Sequence, residues 1–94
     1  MTDRLMLRAG GTALRSIRLA VSFMPELQPR KKAVEIYLLV TGCNLNQTDA
    51  ATLCGCTKQN ISKHLRRVEK AREDTAFDRA LARIEAVMIG GDHA

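Results

Sequence analysis

The side chains best equipped for chemistry in this chain crowd into one stretch, Lys58 to Arg72. The stretch opens on Lys58, Gln59, Asn60, Ser62 and Lys63 and continues with Arg66, Arg67, Lys70 and Arg72. Side-chain amides pair bidentately with adenine, and lysine donates to O6 and N7 of guanine. Arginine and lysine also neutralise phosphate and fix register without reading sequence. A recognition helix enters the major groove by its N-terminal end, so its early residues meet bases and its later ones the backbone. That order assigns Lys58, Gln59, Asn60 and Lys63 to base edges, and Ser62, Arg66, Arg67 and Lys70 to phosphates. Thr48 and Thr57, near helix starts, offer two further hydroxyls to phosphate, a role that competes with helix capping. From Thr57 to Arg72 there are six cations and one anion, a net charge of +5 that equals that of the whole chain. A charge run in isolation reads most simply as a solvated helix face. Amides first and cations after them, on one helix, point instead to duplex DNA.

Those residues need a support, and Gln47 to Leu65 reads as one: QTDAATLCGCTKQNISKHL. Two helices joined by a tight turn demand a small residue at the crossing, a residue tolerant of positive φ in the turn, and an apolar residue returning to the core. Ala51, Gly55 and Ile61 stand at the spacing of a helix-turn-helix, with Cys56 in the small apolar position after the turn. Thr57 is a good N-cap for a helix running to about Arg72, with Ile61, Leu65 and Val68 on its inner face. Stepping 100° per residue from Ile61 turns Gln59, Lys63, Arg66 and Lys70 outward, while His64 lies about 60° from the inward direction, as a packing residue.

The rest of the chain reads as helices around that unit. Leu14, Ile17, Val21 and Met24 predict a helix over 12–24, with Gly10 and Gly11 separating it from a short basic N-terminal piece. Pro29 begins the next unit, and Ala33, Ile36, Tyr37 and Val40 predict a helix over 30–41 ended by Gly42 as a left-handed cap. Asp74 or Thr75 caps a last helix over 76–89, whose stripe is Phe77, Leu81, Ile84 and Met88 and which Gly90 and Gly91 end. The expectation is an all-α fold of about five helices in a single domain, 1–94, with a helix-turn-helix core over 30–72.

Composition narrows the function classes. Ninety-four residues fit one domain with one modest core and no deep substrate cavity beside it. Aromatics make up 3% (Phe23, Tyr37, Phe77), so packing rests on aliphatic residues, which suits helices. The surplus of 15 Lys and Arg over 10 Asp and Glu favours anionic partners. Cys43, Cys54 and Cys56 have none of the paired spacings of a zinc site and read as reduced core thiols, so no metal or cofactor is expected. A cysteine–histidine pair can be drawn on paper, but nothing supplies an orienting group or an oxyanion site, so the chain does not read as an enzyme. No apolar run approaches the roughly 20 residues of a membrane span.

The stretch QTDAATLCGCTKQNISKHL is similar to the helix-turn-helix of LacI-type bacterial repressors. A longer likeness runs from Arg30 to Met88. It is carried by Arg30-Lys31-Lys32, the helix Ala33 to Thr41, the ending Leu65-Arg66-Arg67-Val68-Glu69, and Phe77-Asp78 with the last amphipathic helix. In these residues the chain resembles the C-terminal DNA-binding domain of the bacterial replication initiator DnaA. Where the initiators carry a Gly-Arg-Asp-His-Thr-Thr run, this chain has Gly55-Cys56-Thr57-Lys58-Gln59-Asn60. The resemblance therefore implies the fold and duplex DNA, and not the initiator's own target.

Together these readings describe a cytoplasmic, nucleoid-associated bacterial transcriptional regulator, a repressor rather than an activator. It reads double-stranded DNA with the helix over 58–72, and no small-molecule effector or membrane is implied. One recognition helix makes limited base contact, so a homodimer on two half-sites is expected, paired through the N-terminal or the last helix. The alternatives are a protein-interaction adaptor and a DnaA-related replication-control factor built on the same fold.

Overall fold

The computed structural model describes the backbone of residues 4–90 and the side chains of residues 7–88. Five α-helices follow one another, with no strand among the described residues: α1 (Arg4–Ser22), α2 (Lys31–Tyr37), α3 (Gln47–Cys54), α4 (Lys58–Ala71) and α5 (Thr75–Gly90). A 3₁₀ segment, Pro25–Arg30, leads into α2. No helix among the described residues is long and apolar enough to cross a membrane.

The all-α expectation holds, but α1 begins earlier than the apolar spacing predicts. It runs through Gly10 and Gly11 rather than starting after them. The reason is tertiary. Gly10 is buried, and a Cβ there would stand 2.7 Å from Leu53 Cδ1 and 3.4 Å from Leu45 Cδ2. A glycine lets α1 approach the α3 region closely, which offsets the roughly 1 kcal/mol that glycine costs a helix. Leu14, Ile17 and Val21 then face inward as the spacing requires. At the far end α1 stops at Ser22, where Gln28 Nε2 donates to the carbonyls of Val21 (2.6 Å) and Met24 (3.3 Å). Both carbonyls also accept a backbone N–H, of Met24 and of Leu27 at 3.0 Å each, so the side chain adds a second bond at the helix end.

The segment α2 is central, and its sequence says why. Ala33, Val34 and Ile36 of α2 are buried, as are Leu38 and Leu39 directly after it, so this segment packs on α1 and α4 while Lys31 and Lys32 stay exposed. The expected left-handed cap at Gly42 is not found. The chain instead widens into a turn over Leu38–Gly42, where the Cys43 N–H reaches back five residues to the Leu38 carbonyl (3.2 Å). The left-handed residue is Asn44, with φ of 55°. Gly42 lies under the flexible end of Met88 instead, whose Cε a Cβ there would meet at 2.5 Å and have to displace.

The remaining helices start where their caps dictate. Asn46 Oδ1 accepts from the Asp49 N–H (2.8 Å), and Asn46 Nδ2 returns a bond to Asp49 Oδ2 (3.2 Å), which opens α3. Asp74 Oδ1 accepts from the N–H groups of Ala76 (2.9 Å) and Phe77 (3.3 Å) to open α5. Phe77, Ala80, Leu81 and Ile84 are the buried stripe of α5. Leu27, Ile36, Leu38, Leu39, Ile61 and Leu81 are the largest fully buried side chains, each contributing about 1.5–3 kcal/mol by leaving water.

Candidate functional site

The joint between α3 and α4 is built as its residue types require. Gly55 closes α3 with φ of 65° and ψ of 36°, the left-handed region that glycine enters without strain. The Ala51 carbonyl accepts from both the Gly55 and the Cys56 N–H, the latter at 3.0 Å. The fully buried alanine of α3 is Ala50, while Ala51 is half-buried. After the turn, Thr57 Oγ1 accepts from the Asn60 N–H at 3.1 Å, so Thr57 caps α4. Ile61 and Val68 are fully buried and Leu65 half-buried, which fixes the roll of α4 against α2 and α3.

That roll puts Lys58, Gln59, Asn60, Lys63, Arg66, Arg67 and Lys70 on the exposed surface of α4. Among the described residues none of the seven side chains makes an ion pair or a side-chain hydrogen bond. Amides and one lysine occupy the first turn, and the arginines follow, so the chemical order in the sequence becomes an order along one helix.

Two residues of the cationic stretch, Ser62 and Arg72, are placed differently from that surface. Ser62 is half-buried and its hydroxyl donates to Gln47 Oε1 at 3.1 Å, which ties α4 to the start of α3 rather than offering the hydroxyl to phosphate. Thr57 is exposed, and its hydroxyl oxygen accepts the cap bond while the O–H stays free to donate. Arg72 is drawn under the helix end, where it donates to Glu85 (2.9 and 3.0 Å), Asp78 (2.5 Å) and Tyr37 Oη (3.2 Å). Those partners, Glu85 foremost, push its pKa up against the opposing effect of burial, so the charge is permanent but internally spent. The net +5 counted along the stretch is thus not all presented outward. Thr48 is exposed, with only its carbonyl engaged, by the Thr52 hydroxyl at 3.1 Å.

The structure also adds cations that spacing on α4 does not reveal. Arg30, Lys31 and Lys32 meet Arg67 and His64 across an open cleft of about 410 Å³. Arg30 and Arg67 continue into a second recess beside Lys70. Arg30 is steadied by the Phe77 ring, with its guanidinium carbon 5.9 Å from the ring centroid. The run was visible in the sequence, but its meeting with Arg67, more than thirty residues on, depends on α2 packing against α4. His64 is half-buried with Nδ1 enclosed and without a partner. Burial, and then Arg67 and Lys32, hold its pKa below the ordinary 6.5, so the ring is neutral near pH 7.

Cys43, Cys54 and Cys56 are free and half-buried. Burial raises the thiol pKa of Cys43 and Cys54 from the ordinary value of 9.0, which keeps both protonated. Among the described residues no three His, Cys, Asp or Glu side chains gather as a metal site would need. Comparison of the chain with protein-family models, curated proteins and solved structures finds no match.

Proposed function

We propose that the protein is a sequence-specific double-stranded DNA-binding regulator, with α3, the Gly55 turn and α4 acting as a helix-turn-helix. The observation that carries this reading is the exposed face of α4. Amides and lysines lie at its N-terminal end, arginines and a lysine lie behind them, and none is satisfied internally. A solvated face needs no such order, and Glu69 is the one acid exposed among these cations. In this proposal Lys58, Gln59, Asn60 and Lys63 reach base edges, and Arg66, Arg67 and Lys70 seat the phosphates. Arg30, Lys31 and Lys32 extend the same cationic surface beyond the recognition helix.

Substitution along α4 tests the division of labour. Gln59→Ala or Asn60→Ala removes no charge, so random duplex binding stays constant while cognate binding weakens by about 1–3 kcal/mol for each bidentate pairing removed. Arg66→Ala, Arg67→Ala or Lys70→Ala weakens every duplex alike. The cognate site comes from selection of bound duplexes out of a random pool. Equal loss on specific and random DNA from both groups would leave an electrostatic surface that reads nothing.

A further inference from the structure

The described residues include three large apolar side chains that stand exposed: Leu19 (63%) on α1, Phe23 (75%) just past its end, and Val87 (74%) on α5. Between these two helices lies a groove of about 580 Å³. Ile17, Ile84 and Met88 form its apolar depth, and Ala13, Ser16 and Ala20 keep the α1 wall low. Leu19 and Phe23 do not line the groove; Leu19 lies about 160° from Ile17 around α1, and Phe23 stands past the helix end. Val87 lines the α5 wall. An apolar surface of this kind marks an interaction site more often than it marks idle surface.

The two edges differ in charge, and that selects the occupant. The α1 wall carries no charged side chain. On the α5 side Arg83 lines the groove, and Arg79 stands one turn before it, at a spacing that places the two side by side. Both are exposed, and neither makes an ion pair among the described residues. We infer that the groove receives an amphipathic helix of a partner protein, with its apolar face toward Ile17, Ile84 and Met88 and acidic residues along the flank that meets Arg79 and Arg83. Helix-in-groove binding of this type uses anchors at i, i+3, i+4 and i+7. Charges then sit at the rim.

A second copy is a poorer occupant, although α1 and α5 are the two helices the sequence offers for pairing. The helix α1 carries no acid along its length. The acids of α5, Asp78 and Glu85, are held by Arg72. Self-association would bring arginines to an arginine rim.

The probe is a side-chain-stapled helical peptide with leucines at i, i+3, i+4 and i+7 and glutamates along one flank. Its control carries lysines in place of the glutamates. Titration of each into the full chain is followed by fluorescence anisotropy and by methyl NMR of Ile17, Ile84 and Val87. The acidic peptide binds and shifts these methyls, and the lysine peptide binds roughly tenfold more weakly, as two rim ion pairs imply. The double variant Arg79→Glu, Arg83→Glu reverses that preference; both positions are exposed, and circular dichroism checks the fold. Arg66→Ala with Arg67→Ala leaves peptide affinity within about twofold, because the binding surfaces are separate. Equal affinity for the two peptides overturns the inference, as does absence of binding. Loss of binding in the α4 variant does the same, because the peptide would then sit on the cationic face of α4. Methyl shifts that follow protein concentration alone would assign the groove to a second copy.

Discussion

Replacing Arg72 by methionine separates a structural cation from a DNA-binding one. The guanidinium joins the end of α4 to Glu85 and Asp78 on α5 and to Tyr37 at the end of α2, and its carbon sits 5.9 Å from the Tyr37 ring centroid. Hydrogen bonds to charged groups contribute about 1.5–3 kcal/mol each when buried. Here the Arg72 side chain is 24% exposed, Glu85 26% and Asp78 45%, so solvent screens the Asp78 contact and trims the Glu85 fork. Methionine keeps the apolar stem while removing the fork. The loss should be about 2–3 kcal/mol, which for a chain of this size lowers the melting temperature by roughly 10–20 °C. Thermal circular dichroism measures it, and a double-mutant cycle with Glu85→Gln should return a coupling of about 1–2 kcal/mol. Because the charge is spent internally, Arg72→Met should leave the salt dependence of duplex binding unchanged at temperatures where it is folded. Arg66→Ala should make it shallower by about one log–log unit. An unchanged melting temperature, or a salt slope shallower by a unit, would refute this placement of Arg72.

Three further outcomes follow from single residues. Gly55→Val forces a β-branched side chain into φ of 65° and should cost about 1–3 kcal/mol in urea unfolding, with Gly55→Asn costing less. Thr57→Ala should cost about 1 kcal/mol by removing the cap, and duplex affinity measured on the folded fraction should stay constant if the hydroxyl is engaged only with Asn60. His64 has a folded pKa below its unfolded 6.5, so the neutral ring stabilises fully above 6.5 and that contribution fades as pH falls through the folded value. His64→Gln should therefore flatten the decline in stability as pH falls below 6.5. An identical decline in both proteins would assign it to other groups.

What was legible in the sequence is what depends on near neighbours. Thr57 as a cap, Gly55 as the left-handed residue, and the inward face of Ile61, Leu65 and Val68 all follow from spacing within two turns. The outward set of Gln59, Lys63, Arg66 and Lys70 follows from the same periodicity. Misplaced features involve partners far along the chain. Gly10 looks like a helix boundary until Leu45 and Leu53 are brought against it. Gly42 looks like a cap, yet the widened turn carries the left-handed position on to Asn44 and leaves Gly42 beneath Met88. Arg72 looks like one more outward cation because its acids sit on the following helix, at Asp78 and Glu85, seven residues apart and so on the same face. Ser62 and Gln47 meet only once α3 and α4 are folded across the turn. The cleft that unites Arg30, Lys31 and Lys32 with Arg67 has the same long-range origin.

The proposal that the outward face of α4 meets duplex DNA is tested most directly by salt titration of that encounter. Affinity for a random duplex is measured across a range of salt concentrations for the native chain and for Arg66→Ala with Arg67→Ala. The account predicts binding in the range of about 10⁻⁴–10⁻⁶ M at physiological salt, a linear fall of log affinity with log salt, and a slope about two units shallower in the double variant. Absence of binding at low salt, or the same slope in both proteins, would contradict it.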